Sequence, residues 1–304
     1  SGTTGTFSGA VSGTTGTFTG DVDIADKIVH TGDTNTVIRF PSADTVTVET
    51  NGAEAIRVDS SQRFLLGTTS ARTDVALIGD PYFQQEGLSS DTGGMSIIRN
   101  TNSAAGAYLV LGKTRGTSDG SNTIVQDDDT IGSILFAPAD GNDVNQVCAS
   151  LTAIIDGTPG SNDVPGALTF QTTADGGSQP TEKARITSAG LFGIGTNAPV
   201  NLLQVEGSAP VIAIRDTASH SAYSNGGKLY FQGKDSDGNV KTFGGILGVS
   251  QSSNNGQLRL QTRTGGTLYD RLTINASGAT GIGTDNAKAQ YLQVGLPKAQ
   301  PGSV

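Results

Sequence analysis

Apolar and polar residues alternate along short stretches of this chain, and residues typical of turns separate the stretches. Thr45–Glu49, Ala167–Gln171 and Gln257–Gln261 each carry an apolar side chain at every second position. This period of two predicts strands with one apolar face. Apolar residues at helical spacing are almost absent, and the best helical candidate is the short segment Asp285–Tyr291. The sequence therefore predicts an all-β protein with almost no helix.

The first 22 residues consist of one eleven-residue phrase written twice, Ser1–Val11 and Ser12–Val22. Each copy has a single Phe and a single Val among mostly Gly, Ser and Thr residues, so it offers few apolar anchors between turns. A unit of this kind does not fold alone and is stabilised when neighbouring units or chains stack on it. We interpret residues 1–22 as a shaft segment, and because the chain begins inside a repeat, we expect a fragment or a processed product.

A larger unit occurs three times, at Val58–Thr68, Ile186–Thr196 and Ile274–Thr284. In each copy an apolar residue, a turn residue and an apolar-Gly-Thr ending fall at the same offsets. A further glycine follows the ending by twelve residues in each copy, namely Gly79, Gly207 and Gly295. Alternating apolar residues precede it, which in the first copy are Val75 and Leu77. Each copy therefore predicts a strand, a glycine turn, a second strand, a short connector and a third strand.

The stretches between these units also match one another: Ile98–Thr101 resembles Ile214–Thr217, and Tyr108–Lys113 resembles Leu229–Lys234. We therefore predict two copies of a β module. The predicted parts of the chain are a shaft at 1–22, a first β unit at 23–79, module A at 80–207, module B at 208–295 and a tail at 296–304. Module A is longer because of residues around 114–165, whose Asp, Asn, Ser, Gly and Pro content predicts a long polar insertion of loops.

Composition argues against a self-sufficient core. The chain has 43 glycines, no Trp, 5% aromatic and 35% hydrophobic residues, whereas globular domains have about 45–50% apolar residues when glycine is counted with them. Large side chains supply most of the apolar area that offsets chain entropy. A compact monomer would therefore have a thin core, and we expect identical chains to pack against one another.

The charge balance narrows the choice of partners. The net charge is −9, with no basic cluster that could neutralise phosphates, so we expect no binding to nucleic acid and none to anionic membranes. No apolar run approaches the about 20 residues of a membrane span. Cys148 is the single cysteine, so it has no partner for a disulfide within the chain, and we expect it to be a small buried apolar residue.

The phrase Ile24–Phe40 resembles one that is common in tail-fibre proteins of tailed bacteriophages, marine phages especially. The Arg-Ile-x-x-x-Gly-x-x-Gly-Ile-Gly-Thr phrase at 185–196 and the Gly-Thr-Phe-Ser-Gly repeats are similar to the same proteins. The resemblance is clearest over residues 1–79, 183–207 and 270–295. It implies an elongated, β-rich homotrimeric fibre that links a virion to its host surface, and it implies no catalytic residues. Such fibres often end in a self-cleaving chaperone domain, which nothing after Gly295 resembles.

A polar loop region is the candidate for contact with a host receptor. Asp127–Asp129 could in principle supply the acid and base of glycoside hydrolysis, which needs two carboxylates set about 5–10 Å apart across a sugar. Three adjacent aspartates are more typical of a solvated loop tip, or of a loop that faces a glycan. The candidate receptor-facing residues are Asp119, Asn122, Asp127, Asp128, Asp129, Asn142 and Tyr223.

Other motifs do not indicate a cofactor or a metal. Gly193–Ala198 matches a dinucleotide-binding pattern, but Pro199 and a strand-like stretch follow where that pattern needs a helix. Asp235–Asn239 resembles the start of a calcium loop, yet the later glycine and glutamate are missing, so we predict a hairpin loop. His30 and His220 lack partners at the spacing of a zinc site or a catalytic triad.

Three functions follow as hypotheses. The first is a structural and adhesive component of a phage tail fibre in the virion tail, not an enzyme. It would bind itself as a homotrimer, other tail proteins, and a glycan or protein on the host surface. The second is a tailspike enzyme that cleaves surface polysaccharide. The third is a purely structural connector that contacts only other tail proteins.

Overall fold

The structure is a computed structural model that describes residues 13, 16, 19–217, 225–252, 255–283 and 293–294. Within these residues eighteen strands form three sheets of six strands each. The helical part of the described chain is a single turn of 3-10 helix, Val75–Leu77. The predicted all-β fold with almost no helix is confirmed.

The chain comprises two compact units, residues 1–208 and 209–304. The first unit contains two sheets and the second unit contains the third. Several predictions lie outside the described residues, namely most of the eleven-residue repeat, the helix at Asp285–Tyr291, His220 and Tyr223. The homotrimer and the division into modules stay predictions.

The first sheet is a meander whose strands lie side by side in chain order. They are β1 (Lys27–His30), β2 (Asp33–Arg39), β3 (Val46–Thr50), β4 (Ala53–Val58), β5 (Phe64–Leu66) and β6 (Phe83–Gln85). The first four pairs are antiparallel. The last pair, β5 with β6, is parallel, because the connector between them crosses from one end of the sheet to the other.

The second and third sheets have the same strand order and the same pairing. The second contains β7 (Thr130–Phe136), β8 (Ala149–Ile155), β9 (Gly166–Thr172), β10 (Thr181–Ile186), β11 (Phe192–Ile194) and β12 (Leu203–Val205). The third contains β13 (Asn225–Lys234), β14 (Val240–Ser252), β15 (Asn255–Thr264), β16 (Thr267–Ile274), β17 (Thr280–Ile282) and β18 (Gln293–Val294). In both, four antiparallel pairs precede one parallel pair.

Composition misleads in one stretch of the second sheet. Strands β7 and β8 both lie within the region around 114–165, for which the polar residues predict loops. Long polar linkers flank both strands. The composition averaged over the whole region is therefore polar, although apolar and polar residues alternate within each strand.

A five-residue turn joins the fourth strand of each sheet to the fifth. In the first sheet Asp59 N–H donates to Arg63 O at 3.1 Å and Gln62 N–H donates to Asp59 O at 2.8 Å. The same two bonds close the turns at 187–191 and 275–279. The fourth turn residue has a positive φ, which is 64° at Gln62, 76° at Gly190 and 81° at Gly278. The predicted succession of strand, turn and strand is thus confirmed in each copy.

The glycine of the Gly-Thr ending is required by its surroundings. Gly195 has φ +75°, and a Cβ placed on it would collide with the carbonyl oxygen of Glu206. Gly67 has the same φ and meets Glu86 O in the same way. Both glycines donate their N–H back to the fourth strand. The close approach lets the residue after the parallel strand donate to the fifth strand, as Glu206 N–H does to Ile194 O at 2.9 Å.

The strand predicted at Val75–Leu77 is wrong. Those residues form the 3-10 turn, and Ala76 and Leu77 have φ values of 50° and 63°. The parallel strand of the first sheet lies later, at Phe83–Gln85, so Gly87 rather than Gly79 occupies the place of Gly207. The connector is longer in this copy, and the apolar residues before Gly79 match the strand spacing by coincidence.

Each sheet has one apolar face and one mostly polar face, which we call the polar face, and the described chain buries the polar face together with its Leu65 and Leu247. Thr47, Thr169 and Thr273 are among the most deeply buried side chains, at 0, 1 and 0% exposed. The side chains that point to the opposite face are apolar and exposed to solvent, such as Ile38 at 42% and Phe170 at 42%. This inverts the usual arrangement, in which a sheet turns its apolar side inward.

Ion pairs between long side chains lie on the polar faces. The Arg57 guanidinium lies 2.6 Å from Glu54 on β4, and the Arg185 guanidinium lies 2.6 Å from Glu182 on β10. On β15, Arg259 pairs with Asp270 of β16 at 2.8 Å. These arginines are the cross-strand partners of the buried threonines, Arg57 of Thr47, Arg185 of Thr169 and Arg259 of Thr273, so paired charges and buried hydroxyls share one face.

The glycine requirement can be tested with two matched substitutions in the second sheet. Gly190→Ala places a Cβ at positive φ with no atom within 4 Å of it, so we expect a loss of about 1 kcal/mol of unfolding free energy. Gly195→Ala adds the collision with Glu206 O, so we expect a loss of about 3 kcal/mol. Thermal unfolding followed by circular dichroism measures both, and equal losses would contradict the argument.

Candidate functional site

The apolar face of the first sheet is a continuous surface formed by cross-strand neighbours. One row across the strands consists of Ile28, Ile38, Val48, Ile56 and Leu66. A second row consists of Val46, Val58, Phe64 and Phe83. The rings of Phe64 and Phe83 stack with centroids 5.5 Å apart and planes 8° apart. Ladder neighbours of this kind stabilise the sheet, but they leave their outer surfaces exposed.

The other two sheets present equivalent rows. In the second sheet the row is Ile134, Leu151, Phe170, Ala184 and Ile194. In the third it is Leu229, Ile246, Leu260, Leu272 and Ile282. The first and last members of both rows are exposed. We call these three surfaces the apolar faces.

The apolar faces are the strongest candidate for a functional surface. Large exposed apolar patches on soluble proteins mark interaction sites more often than scattered single residues do. Their chemistry is that of a buried layer, with aliphatic and aromatic side chains on one side of a sheet. Such a face is complementary to another sheet, since two sheets pack with their apolar sides together about 10 Å apart.

The sequence analysis missed which face is open. Alternation identifies both faces of a strand but does not say which one the chain covers. The signal that could have indicated it is the Glu-x-x-Arg spacing in Glu54–Arg57 and Glu182–Arg185. Residues three apart on a regular strand point to opposite faces. A register irregularity between the acid and the base of each pair brings both to the polar face, where they pair.

Only one of the three adjacent aspartates, Asp129, is shielded from solvent, whereas Asp127 and Asp128 are exposed. Asp129 is 9% exposed, and Arg115 donates two hydrogen bonds to its carboxylate at 2.7 and 2.8 Å. The N–H of Gln126 donates to the same group at 2.9 Å, and Lys113 Nζ lies 3.2 Å away. The Arg115 guanidinium, followed by the Gln126 N–H and Lys113, holds the pKa of Asp129 far below its usual range.

The aspartates instead fasten the start of β7 to the end of β8. Asp127 Oδ1 accepts the N–H of Gly157 at 2.7 Å. Asp128 has φ 65° and donates its N–H to Ile155 O, which anchors the turn. Asp127 and Asp128 themselves are exposed. A carboxylate held as Asp129 is does not act as a general acid near neutral pH, because it stays ionised.

The remaining candidate receptor residues lie in separate loops. Asp119 and Asn122 are exposed in the stretch between Lys113 and β7, and Asn142 is exposed in the loop between β7 and β8. In that second loop, Asp140 accepts the N–H groups of Asp143 and Asn142, and these bonds lower the pKa of Asp140. Within the described residues no hydrogen bond joins Asn122 or Asn142 to the aspartates at 127–129.

The Asp235–Asn239 segment is a hairpin turn, as predicted. Asp235 Oδ1 accepts the N–H groups of Asp237 and Asn239 at 3.0 and 2.9 Å, and Gly238 has φ 80°. The carboxylate is therefore occupied by backbone donors. The described residues hold no group of three or more His, Cys, Asp or Glu side chains placed to bind a metal ion.

The prediction that Cys148 is buried is wrong. Its side chain is exposed, because the residue lies at the end of the second sheet, just before β8 begins. Its backbone still continues the ladder, since its N–H donates to Phe136 O at 2.9 Å and its O accepts from Thr173. In the described part of the chain, no helix has the length and apolar character to cross a membrane.

Comparison with known proteins gives one kind of match. No protein-family model matches the sequence, and no curated protein does. Among solved structures, the carboxy-terminal domain of the bacteriophage T5 L-shaped tail fibre is similar at 14% identity and a TM-score of 0.33, covering 64% of this chain and 93% of that one. The same domain with its intra-molecular chaperone domain is similar at 16% identity and a TM-score of 0.34, covering 69% of each chain. A likeness this distant carries no argument about function.

The pairing of Asp129 predicts how stability depends on pH. Below the pKa of an unfolded aspartate, about 3.9, the unfolded chain binds a proton that the folded chain does not, so stability falls as the pH is lowered. Asp129→Asn should lower the thermal midpoint at neutral pH and should flatten its fall on acidification. Asp127→Asn is the control, because the amide oxygen can still accept the Gly157 N–H. Identical acid profiles for the wild type and Asp129→Asn would contradict the assignment.

Proposed function

We propose that this chain is a structural and adhesive component of a phage tail fibre. In it, three identical chains pack their apolar faces together, and polar loops contact the host surface. The observation that carries the proposal is that each of the three sheets buries its polar face and exposes its apolar one. The resemblance of Ile24–Phe40 and of the phrase at 185–196 to tail-fibre proteins supports the choice of class.

Identical chains are the simplest source of the missing layer. Each sheet is one layer thick, so its apolar face needs a second layer that is equally flat and apolar. A further copy of the same sheet has this shape and chemistry. Closed rotational symmetry satisfies every copy at once, whereas an open arrangement would leave faces and edges that continue to recruit chains. The threefold order is what the resemblance implies.

The magnitudes favour association. Burying a large apolar side chain that was fully exposed stabilises by about 1.5–3 kcal/mol. Side chains such as Ile134, Phe170 and Ile194 are now about half exposed, so each still has part of that gain available. Association costs about 4–15 kcal/mol in lost freedom. Several side chains from each of three sheets together offset this cost, so the burial of apolar surface determines whether the chains associate.

We propose a structural rather than an enzymatic role. Asp129, the most buried of the three aspartates, is paired with two cations, and Asp127 and Asp128 hold the backbone between β7 and β8. Exposed polar loops such as those around Asn122 and Asn142 offer amide and carboxylate groups that suit hydrogen bonding to a glycan or a protein. The chain would lie in the tail of the virion, joined to other tail proteins.

Self-association is tested by the mass of the purified chain in solution. Light scattering should give three times the 30.9 kDa of one chain. Phe170→Asp places a charge in the apolar face of the second sheet, and we expect it to weaken assembly by at least about 100-fold, since an unpaired charge is costly to bury. Leu88→Asp is the matched control, because Leu88 is fully exposed in a connector outside the sheets. A stable folded monomer of the wild type would refute the proposal.

Host contact is tested by binding the assembled protein to whole host cells. A fibre that attaches to the host should bind cells, and a connector should not. Replacing both Asn122 and Asn142 with Ala should reduce binding without changing the mass of the assembly, because both side chains are exposed. Release of oligosaccharide from host envelope glycans, lost in Asp127→Asn, would instead favour the tailspike enzyme.

A further inference from the structure

Two segments of the chain are as rich in apolar residues as a strand but belong to no sheet. One lies before the second sheet, at residues 107–111, and the other before the third sheet, at 209–214. Val110 is 82% exposed, and its apolar neighbours in the segment are exposed as well. The exposed apolar side chains are Tyr108, Leu109, Val110 and Leu111 in the first segment, and Val211, Ile212 and Ile214 in the second.

The backbone of these segments has no partner within the described chain. Backbone hydrogen bonds end at Gly93 before the first segment and resume at Arg115 after it. No backbone bond is made by residues 209–214 within the described residues either. Burying these apolar side chains would also bury the unpaired N–H and C=O groups beside them, which is unfavourable unless those groups form hydrogen bonds. Pairing with another strand would supply the missing backbone hydrogen bonds and allow the apolar side chains to be buried.

The residue pattern indicates a strand that is covered on both faces. Successive side chains of a strand point to opposite sides. Tyr108, Leu109, Val110 and Leu111 are consecutive apolar residues, so both sides of this segment are apolar. Runs of this type occur in strands with a layer on each face. The sheets of this chain are single layers, so the second layer has to come from outside the chain.

Both segments pass their own sheet at a glycine. Leu111 lies against Gly132 of β7, where a Cβ would meet the Leu111 Cβ at 2.7 Å. In the other unit, Ile214 O occupies the space that a Cβ of Gly227 on β13 would need. Each glycine lies at an irregularity in the register of the first strand of its sheet. Because glycine has no Cβ, each segment can lie close to the first strand of its sheet without pairing with it.

We infer that residues 107–111 and 209–214 are strands that one copy of this chain donates to a second copy. There, their backbone groups hydrogen-bond to a free strand edge. This inference rests on the proposed self-association and adds that the chains exchange strands rather than lie side by side. The first and last strands of each sheet pair on one side only, as β7 does with β8. Such edges accept an added strand.

A second copy of the chain fits these segments better than an unrelated partner does. The chain has both the surplus strands and the free edges and apolar faces, so identical copies satisfy one another.

Hydrogen–deuterium exchange on the assembled protein tests the inference directly. Residues 107–111 and 209–214 should exchange at least about 100-fold more slowly than a free chain, as amides of sheet strands do. The connector around Leu88 is the internal reference for fast exchange. Rapid exchange of both segments in a confirmed assembly would overturn strand donation and leave the proposed packing of apolar faces intact.

A proline substitution separates the backbone from the side chain. Val110→Pro removes the N–H donor at a position that makes no hydrogen bond in its own chain, so only pairing with another copy should suffer. We expect its dissociation constant to rise about tenfold or more, and that of Val110→Thr, which keeps the donor, to change by less than about threefold. Leu88→Pro should leave the assembly unchanged.

The outcomes distinguish the two proposals. Light scattering that gives a monomer at all concentrations would refute the proposed self-association itself. An assembly that Val110→Pro and Val110→Thr weaken equally would refute strand donation alone, because the backbone donor would then be without effect. Protection of 107–111 that persists in folded single chains after dilution would also refute it, since the segment would then pair within its own chain.

Discussion

A sheet has two faces, and this chain has material to cover only one of them. The covered face is mostly polar, where threonines such as Thr47 and Thr169 lie beside cross-strand arginines whose charges are paired with glutamates. With aromatics at 5% and no Trp, few large side chains are available for a second layer, and the described chain leaves the apolar face open. The open apolar faces and the proposed assembly follow from this deficit.

The arrangement of the polar face explains why the deficit does not prevent ordered sheets. Buried threonines are small and β-branched, so they suit a strand while leaving room for the long arginine side chains on the neighbouring strands. Partly buried ion pairs between strands, Arg39 of β2 with Glu49 of β3 and Arg259 of β15 with Asp270 of β16, add modest stability and favour one register, because a slip of one residue would separate the paired groups. Register and turn geometry are thus set within the chain, and the apolar faces are left to set the association.

Sequence reasoning reached the strands and the turns because both depend on local chemistry. The positive φ at Gly190 and the collision that excludes a side chain at Gly195 leave a visible trace in the Gly-Ile-Gly-Thr phrase. It failed at Val75–Leu77, where apolar residues at strand spacing form a 3-10 turn, because the position of the parallel strand depends on how a connector crosses the sheet. It also could not place Asp129, whose partners Arg115 and Gln126 are set by the fold rather than by a local pattern.

The unpaired apolar segments and the open faces have one origin. A chain with a thin core can gain stability either by adding a layer or by sharing strands, and the two routes reinforce each other. A strand that is donated to a second copy satisfies its backbone and also brings that copy's apolar face within reach. The glycines at Gly132 and Gly227 are then part of the interface, since they keep each segment close to its own sheet without letting it pair there. Association of this kind is cooperative, because neither the faces nor the strands are fully buried until all copies are in place.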